Sequence, residues 1–204
     1  MLKLYCAPRT ISVAVVTLLN ESGVHWEPIR VDLAGGEQTR APYRALNPKG
    51  RVPVLMTPEG PLTETGAILE YLAETATPGF VPADPLARAR MREVMFYLAS
   101  TMHVNHAHRL RGARWADDPA AHQAMTAKVP QTMTASAAYV EDLMTGPFLF
   151  GADLTLADFY LFAVCLWLDG DGVDVAAFPR IEAFMAAMEA TEGVRKTRGD
   201  GLIA

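Results

Sequence analysis

Nine residues, Thr77-Pro-Gly-Phe-Val-Pro-Ala-Asp-Pro85, constrain the fold of this 204-residue chain more than any others. Three of them are proline. Each proline fixes its own φ, lacks an N–H and pushes the residue before it towards extended backbone, so no helix runs through the segment. The sequence changes character at the same place. Before it, short apolar runs are punctuated by Pro and Gly; after it, Ala, Met and Leu recur at helical spacing and strand signals vanish. The length accommodates one large domain or two small ones, and the break favours two. They are residues 1–76 and 86–204, joined by a linker over 77–85.

In the first part, Leu2–Tyr5 reads as a short strand broken by Pro8. A helix follows over Ser12–Asn20, with Val15, Val16, Leu18 and Leu19 apolar, Ser12 placed to cap its start and Gly23 to stop it. Trp26, Ile29 and Val31 mark a second strand. After an irregular stretch, Val52–Met56, the turn Thr57-Pro-Glu-Gly60 and Pro61–Thr63 predict a hairpin. A last helix opens at Thr65 and buries Ile68, Leu69 and Leu72. Strand–helix–strand implies a parallel pair and the hairpin an antiparallel one, which makes a small mixed α/β sheet. The second part predicts an all-α bundle. Met91, Met95, Leu98 and Met102 step by four, three and four as one buried stripe. Thr155-Leu-Ala-Asp158 reads as a capping box with Asp in place of Glu or Gln, opening a helix through the ten-residue apolar run Phe159–Leu168. Phe178-Pro179 opens another through Ile181, Phe184 and Met188, halted near Gly193.

Composition excludes several functions. Half of the residues are hydrophobic, enough for a buried core and too many for wholesale disorder. A net charge of −5 argues against nucleic acid as a partner, because phosphate binding calls for a basic surface. The longest apolar run is half of the roughly 20 residues needed to cross a bilayer. Lys3 and the stretch Ile11–Leu19 imitate a secretory signal only faintly, since Pro8 and Arg9 interrupt it and no small-residue cleavage site follows. Two cysteines, Cys6 and Cys165, cannot form a disulfide framework, which fits a reducing compartment. A cytoplasmic protein with no membrane partner is expected.

Four pieces then stand in a telling order: Tyr5-Cys-Ala-Pro-Arg-Thr-Ile-Ser12, Asn47-Pro-Lys-Gly-Arg-Val-Pro53, Leu62-Thr-Glu-Thr-Gly-Ala-Ile68 and Leu154-Thr-Leu-Ala-Asp158. In this order and spacing they resemble the cytosolic glutathione transferases, especially the bacterial beta class, and the resemblance spans the whole chain. It implies a thioredoxin-like N-terminal domain that binds glutathione and an all-helical C-terminal domain that lines the electrophile site. It also implies a homodimer and a detoxifying conjugation, with glutathione as co-substrate.

The resemblance implies roles residue by residue. The proline matching Pro53 is cis in the family, so that Val52 exchanges main-chain hydrogen bonds with the cysteinyl part of glutathione, like an added strand. Glu64 and Thr65 open a helix whose N–H groups, with the Thr hydroxyl, suit the γ-glutamyl carboxylate, while Glu64 receives the ammonium group. The family usually has Ser where this chain has Thr65. Arg51 either pairs with a glutathione carboxylate or stays solvated.

The catalytic position departs from the beta class. Glutathione's thiol, with a pKa of roughly 8.5 like free cysteine, is mostly protonated at neutral pH, so a hydrogen-bond donor at a helix start must favour the thiolate. The beta-class cysteine is replaced here by Ile11. Ser12, at the helix start, ranks first among the remaining candidates, with a plain N-cap as its alternative. Thr10 matches the serine of theta- and delta-like relatives and ranks second. Cys6 ranks third and reads as a buried strand-end cysteine. His103 falls where beta-class enzymes place a histidine facing the thiol. His106, one turn on, is expected to line the electrophile pocket or donate to the sulfur. His103, His106 and His108 lack a neighbouring carboxylate or Cys in sequence, so no metal is expected. Arg109, Arg111 and Arg114 either solvate the helix end or favour an anionic second substrate.

Three functions follow from the sequence. The first is transfer of glutathione to an apolar electrophile. The second is another glutathione-dependent reaction (isomerisation, dehalogenation or peroxide reduction). The third is a non-catalytic binding module, which the missing cysteine favours and the intact Val-Pro and Glu-Thr elements oppose.

Overall fold

The structure, a computed structural model, describes residues 1–203. It forms two compact units: Met1–Ala83 together with the chain from Glu189 onward, and Asp84–Met188.

The first unit is the thioredoxin-like β/α fold with a four-stranded mixed sheet. Strand β1 (Leu2–Cys6), helix α1 (Ser12–Glu21) and strand β2 (Trp26–Arg30) make the strand–helix–strand unit, with β1 and β2 parallel. Strands β3 (Val54–Thr57) and β4 (Gly60–Thr63) form the hairpin, and the sheet order is β2-β1-β3-β4. Pro28 is tolerated because β2 is an edge strand. Alternation along β1 sorts the side chains. Leu4, paired with Leu55, is fully buried. Tyr5, paired with Val54, faces the other way into a cluster with Val31, Tyr43 and Val52.

The stretch expected to be irregular holds a turn of 3-10 helix over Glu37–Thr39 and helix α2 (Ala41–Leu46). Pro42 starts α2, and six residues are too few to show a helical period in sequence. Helix α3 (Thr65–Thr75) closes the first stretch of this unit and buries Ile68, Leu69 and Leu72.

The chain from residue 189 onward corrects the sequence reading, which assigned it to the helical part and let Gly193 end a helix. Gly193 instead lies within α9 (Glu192–Gly199), which packs on α1 of the sheet-bearing unit. A Cβ at Gly193 would stand 2.6 Å from Thr17 O and 2.8 Å from Glu21 Cβ. Glycine is there for close approach rather than termination. Asn20 then ties the two helices, donating to Thr197 Oγ1 at 3.1 Å and Asp200 Oδ2 at 3.2 Å.

In the helical unit, Asp84 caps α4 (Pro85–Tyr97) by accepting from Ala87 N–H at 2.8 Å, so the last residue of the expected linker already begins a helix. One wider turn, Leu98–Met102, leads into α5 (His103–Ala107), with His103 N–H donating to Leu98 O. Met91, Met95, Leu98 and Met102 are all buried, as their spacing predicts. The 25-residue α6 (Pro119–Leu143) is not evident from the sequence reading; Pro130 lies inside it, and its buried residues are few. Helix α7 (Leu156–Cys165) is buried along its whole length, the condition that its uniform apolarity demands. The capping box forms as read. Thr155 N–H and Oγ1 each donate to Asp158 Oδ2 at 2.7 Å, and Leu149 N–H donates to Oδ1 at 2.7 Å. Burial raises the Asp158 carboxyl pKa, against the pull of these donors. Helix α8 (Pro179–Glu189) buries Ile181, Phe184 and Met188. Among the described residues no helix is long and apolar enough to cross a membrane.

Candidate functional site

The loop from β1 into α1 carries both hydroxyl candidates. Ala7 N–H donates to Ser12 Oγ at 3.1 Å, and Thr10 Oγ1–H donates to Ala7 O at 2.8 Å. The two hydroxyl oxygens lie 2.5 Å apart, and Ser12 N–H reaches Thr10 Oγ1 at 3.3 Å. Ser12 is not an N-cap. Ile11 holds that position, in helical backbone conformation, and the Ser12 oxygen turns back towards Ala7. Ser12 is 0% exposed, whereas Thr10 is partly exposed. Of the two, only Thr10 meets solvent. Cys6 is buried, and that burial pushes its thiol up to about 11, with Arg30 opposing. It is a neutral core group. Tyr5 packs edge-on against Tyr43, their ring centres 5.9 Å apart.

Before β3 the chain is built from Asn47. Its side chain accepts from Lys49 N–H at 3.1 Å and donates to Arg51 O at 2.8 Å, where Tyr43 OH also donates at 2.8 Å. Gly50 has φ +61, and a Cβ there would stand 2.9 Å from Gln38 O. These contacts explain the Asn-Pro-Lys-Gly string as turn chemistry. They fix the main chain at Arg51, whose side chain is exposed and has no hydrogen bond among the described residues. The Val52–Pro53 bond that follows is cis, the isomer the resemblance implies. No backbone hydrogen bond among the described residues involves Val52.

Glu64, next along this side of the unit, has φ +73 and ψ 120. For a residue with a Cβ that conformation costs on the order of 1–3 kcal/mol. It turns the chain sharply into α3. Ile68 N–H is the first in the helix to be taken, by Glu64 O at 3.0 Å. The N–H groups of Thr65, Gly66 and Ala67 have no partner among the described residues, and neither does the Thr65 hydroxyl, though Thr65 is only 5% exposed. Unpaired donors at a helix start attract an anion. Lys49 adds a full charge: its Nζ donates to Glu64 Oε1 and Thr63 Oγ1, both at 2.6 Å. The sequence reading missed Lys49, although it stands in the quoted motif. An ammonium group arriving at Glu64 therefore shares a carboxylate already paired.

In the helical unit, His103 and His106 both lie against Trp167. The His106 ring stacks on the indole at 4.1 Å, and the His103 ring centre is 5.0 Å away. His106 Nδ1 is 2.7 Å from Asp171 Oδ2, and Arg109 Nη1 donates to Asp171 Oδ1 at 3.4 Å. A carboxylate does stand beside these histidines; it comes from 65 residues further along the chain, where sequence spacing cannot show it. No three His, Cys, Asp or Glu side chains among the described residues converge as a metal ion requires. Met95 and Met102 are core rather than pocket, while Phe96 and Trp115 are 71% and 45% exposed.

Known proteins match this arrangement along the whole chain. The N-terminal domain of glutathione S-transferase matches residues 1–74, and its C-terminal domain matches residues 119–187. A glutathione S-transferase of Escherichia coli is 30% identical over 92% of each chain. The chain belongs to the glutathione S-transferase family. A maleylacetoacetate isomerase of Pseudomonas aeruginosa is 35% identical over 88% of this chain and 87% of its own. A glutathione transferase homologue from Sulfitobacter, solved with bound glutathione, is 52% identical, covers 99% of each chain and superposes with a TM-score of 0.96.

Proposed function

We propose that this family member is a glutathione transferase with beta-class-like organisation, acting in the cytoplasm as a homodimer. It binds glutathione on the sheet-bearing unit and keeps its sulfur ionised for attack on an apolar electrophile. The observation that carries the reading is the cluster of unsatisfied donors at the start of α3, beside Lys49. The γ-glutamyl carboxylate takes the N–H groups of Thr65, Gly66 and Ala67 and the Thr65 hydroxyl, and the ammonium group goes to Glu64. The cysteinyl main chain pairs with Val52, with Pro53 behind it, and Arg51 meets the glycyl carboxylate. The bound glutathione of the Sulfitobacter relative supports this ligand.

Exposure and hydrogen bonding favour Thr10 over Ser12 as the donor to sulfur. The Thr10 hydroxyl turns from Ala7 O to the thiolate, and the buried Ser12 hydroxyl behind it holds its position. His103 and His106 serve the second substrate. A specific observation favours a second reading, isomerisation of an unsaturated diacid: the 35% identity to a maleylacetoacetate isomerase.

The test combines binding and turnover. Glutathione binds the wild type in calorimetry, and Thr65→Ala weakens it by about tenfold, the loss of one charge-assisted hydrogen bond. Thr10→Ala lowers kcat by about a hundredfold while leaving glutathione affinity within twofold, since the donor sets how much of the bound thiol is ionised. A chloroaromatic substrate against a maleyl one separates the two reactions. A wild type that fails to bind glutathione overturns the proposal.

A further inference from the structure

The loop that carries Thr10 is tied to a distant part of the chain. Arg9, exposed and with no ligand role in the proposal above, has φ +56, a conformation that non-glycine residues avoid. Its N–H donates to Leu202 O at 3.0 Å. Leu202 is 1% exposed and Ile203 is 7% exposed, so this carbonyl is presented by an anchored segment.

The anchor is the end of α9. Leu202 N–H donates to Thr197 O at 3.2 Å and Gly201 N–H to Arg198 O at 2.9 Å, with Gly201 at φ +68. Those two bonds and the left-handed glycine make a Schellman cap, a helix ending of fixed geometry. The Arg30 guanidinium donates to Asp200 O within the same cap. Helix α9 is in turn bonded to α1 through Asn20, Thr197 and Asp200, and through Gly193 N–H to Glu21 Oε2 at 2.5 Å. The helix that follows the Thr10 loop and the middle of the loop are thus tied to the same segment: the helix through α9, the middle through Leu202.

We propose that the cap of α9 positions the thiolate-stabilising loop, with Gly201, Leu202 and the Arg9 N–H as positioning residues that set where the Thr10 hydroxyl points. The inference rests on the reading that Thr10 contacts the glutathione sulfur. Loss of the Leu202 carbonyl frees Arg9 to leave the left-handed region. Thr10 is the next residue, so its hydroxyl turns away from the direction the sulfur needs. The charged or titratable groups around the cap are Arg9, Arg30, Lys196, Arg198 with its partner Glu189, Asp200 and the Cys6 thiol. The substitutions below leave all of them in place.

The experiment titrates the thiol of enzyme-bound glutathione by its ultraviolet thiolate absorbance, in the full chain. Gly201→Val puts a branched side chain at a left-handed position and breaks the cap; Gly201→Asn keeps it, because Asn tolerates that conformation. Gly201→Val raises the bound thiol pKa by about one unit, a tenfold smaller thiolate-to-thiol ratio at a given pH, with glutathione affinity within twofold. Gly201→Asn matches the wild type. Deletion of residues 202–204 gives the same rise as Gly201→Val and keeps the test decisive if that variant does not fold. Thr10→Ala is titrated alongside. If it raises the thiol pKa and both cap-breaking variants leave it unchanged, the positioning role is overturned while the Thr10 reading stands. If Thr10→Ala leaves the titration unchanged, that reading fails and this inference falls with it.

Discussion

The two units prepare for ligands in opposite ways. Around α3 and Val52 the available groups belong to the main chain, and among the described residues they are unpartnered. In the helical unit the polar side chains are already engaged: His106 and Arg109 with Asp171, and Asp158 with Thr155 and Leu149. Unsatisfied main-chain donors keep a fixed geometry because the fold sets it, so they can wait for an anion at little entropic cost. A buried carboxylate cannot wait, since without partners its desolvation destabilises the fold. Substitutions at Asp158 and its partners should therefore be read as stability, and those at the glutathione corner as affinity.

The largest effect expected from this contrast is at Asp158. Asp158→Ala strands Leu149 N–H, Thr155 N–H and the Thr155 hydroxyl in a fully buried place. It costs about 3 kcal/mol or more in denaturant unfolding. A loss under about 1 kcal/mol would mean that the helical unit does not depend on its pre-paired groups. A much smaller effect is expected at Lys49, whose ion pair with Glu64 is exposed on both sides. Lys49→Met changes stability by less than about 1 kcal/mol, but weakens glutathione binding several-fold in calorimetry. The reverse pattern breaks the contrast.

The smallest effect is at Cys6. Folding raises its thiol pKa from 9.0 to about 11, so folding favours the neutral form. Its contribution to stability is full below pH 9 and is lost as pH rises from there towards 11. At pH 8 the folded protein should resist alkylation at Cys6, and Cys6→Ala should leave turnover unchanged. Labelling of Cys6 in the native state, followed by mass spectrometry, checks this.

The same contrast explains what the sequence discloses. The main-chain sites are legible because short motifs build them. Asn47 and Gly50 shape a turn within a few residues of Val52, and Glu64 and Thr65 are adjacent. The Thr155–Asp158 cap is local in the same sense and stands as read. Ser12 was legible as a hydroxyl near a helix start, but not as a buried one, because its burial depends on Ala7 and the packing of α1. The Asp171 partner of His106 leaves no local trace, and neither does the return of α9 to α1, which is marked only by a glycine that reads as a helix stop. Helix α2 is too short for its period to register.

The most direct test of the account is a crystal structure of the protein with glutathione. The account predicts the sulfur within hydrogen-bond reach of Thr10 Oγ1, with Ser12 Oγ behind that hydroxyl and the γ-glutamyl carboxylate on the N–H groups of Thr65, Gly66 and Ala67. A sulfur lying against neither hydroxyl, or a carboxylate held elsewhere, contradicts it.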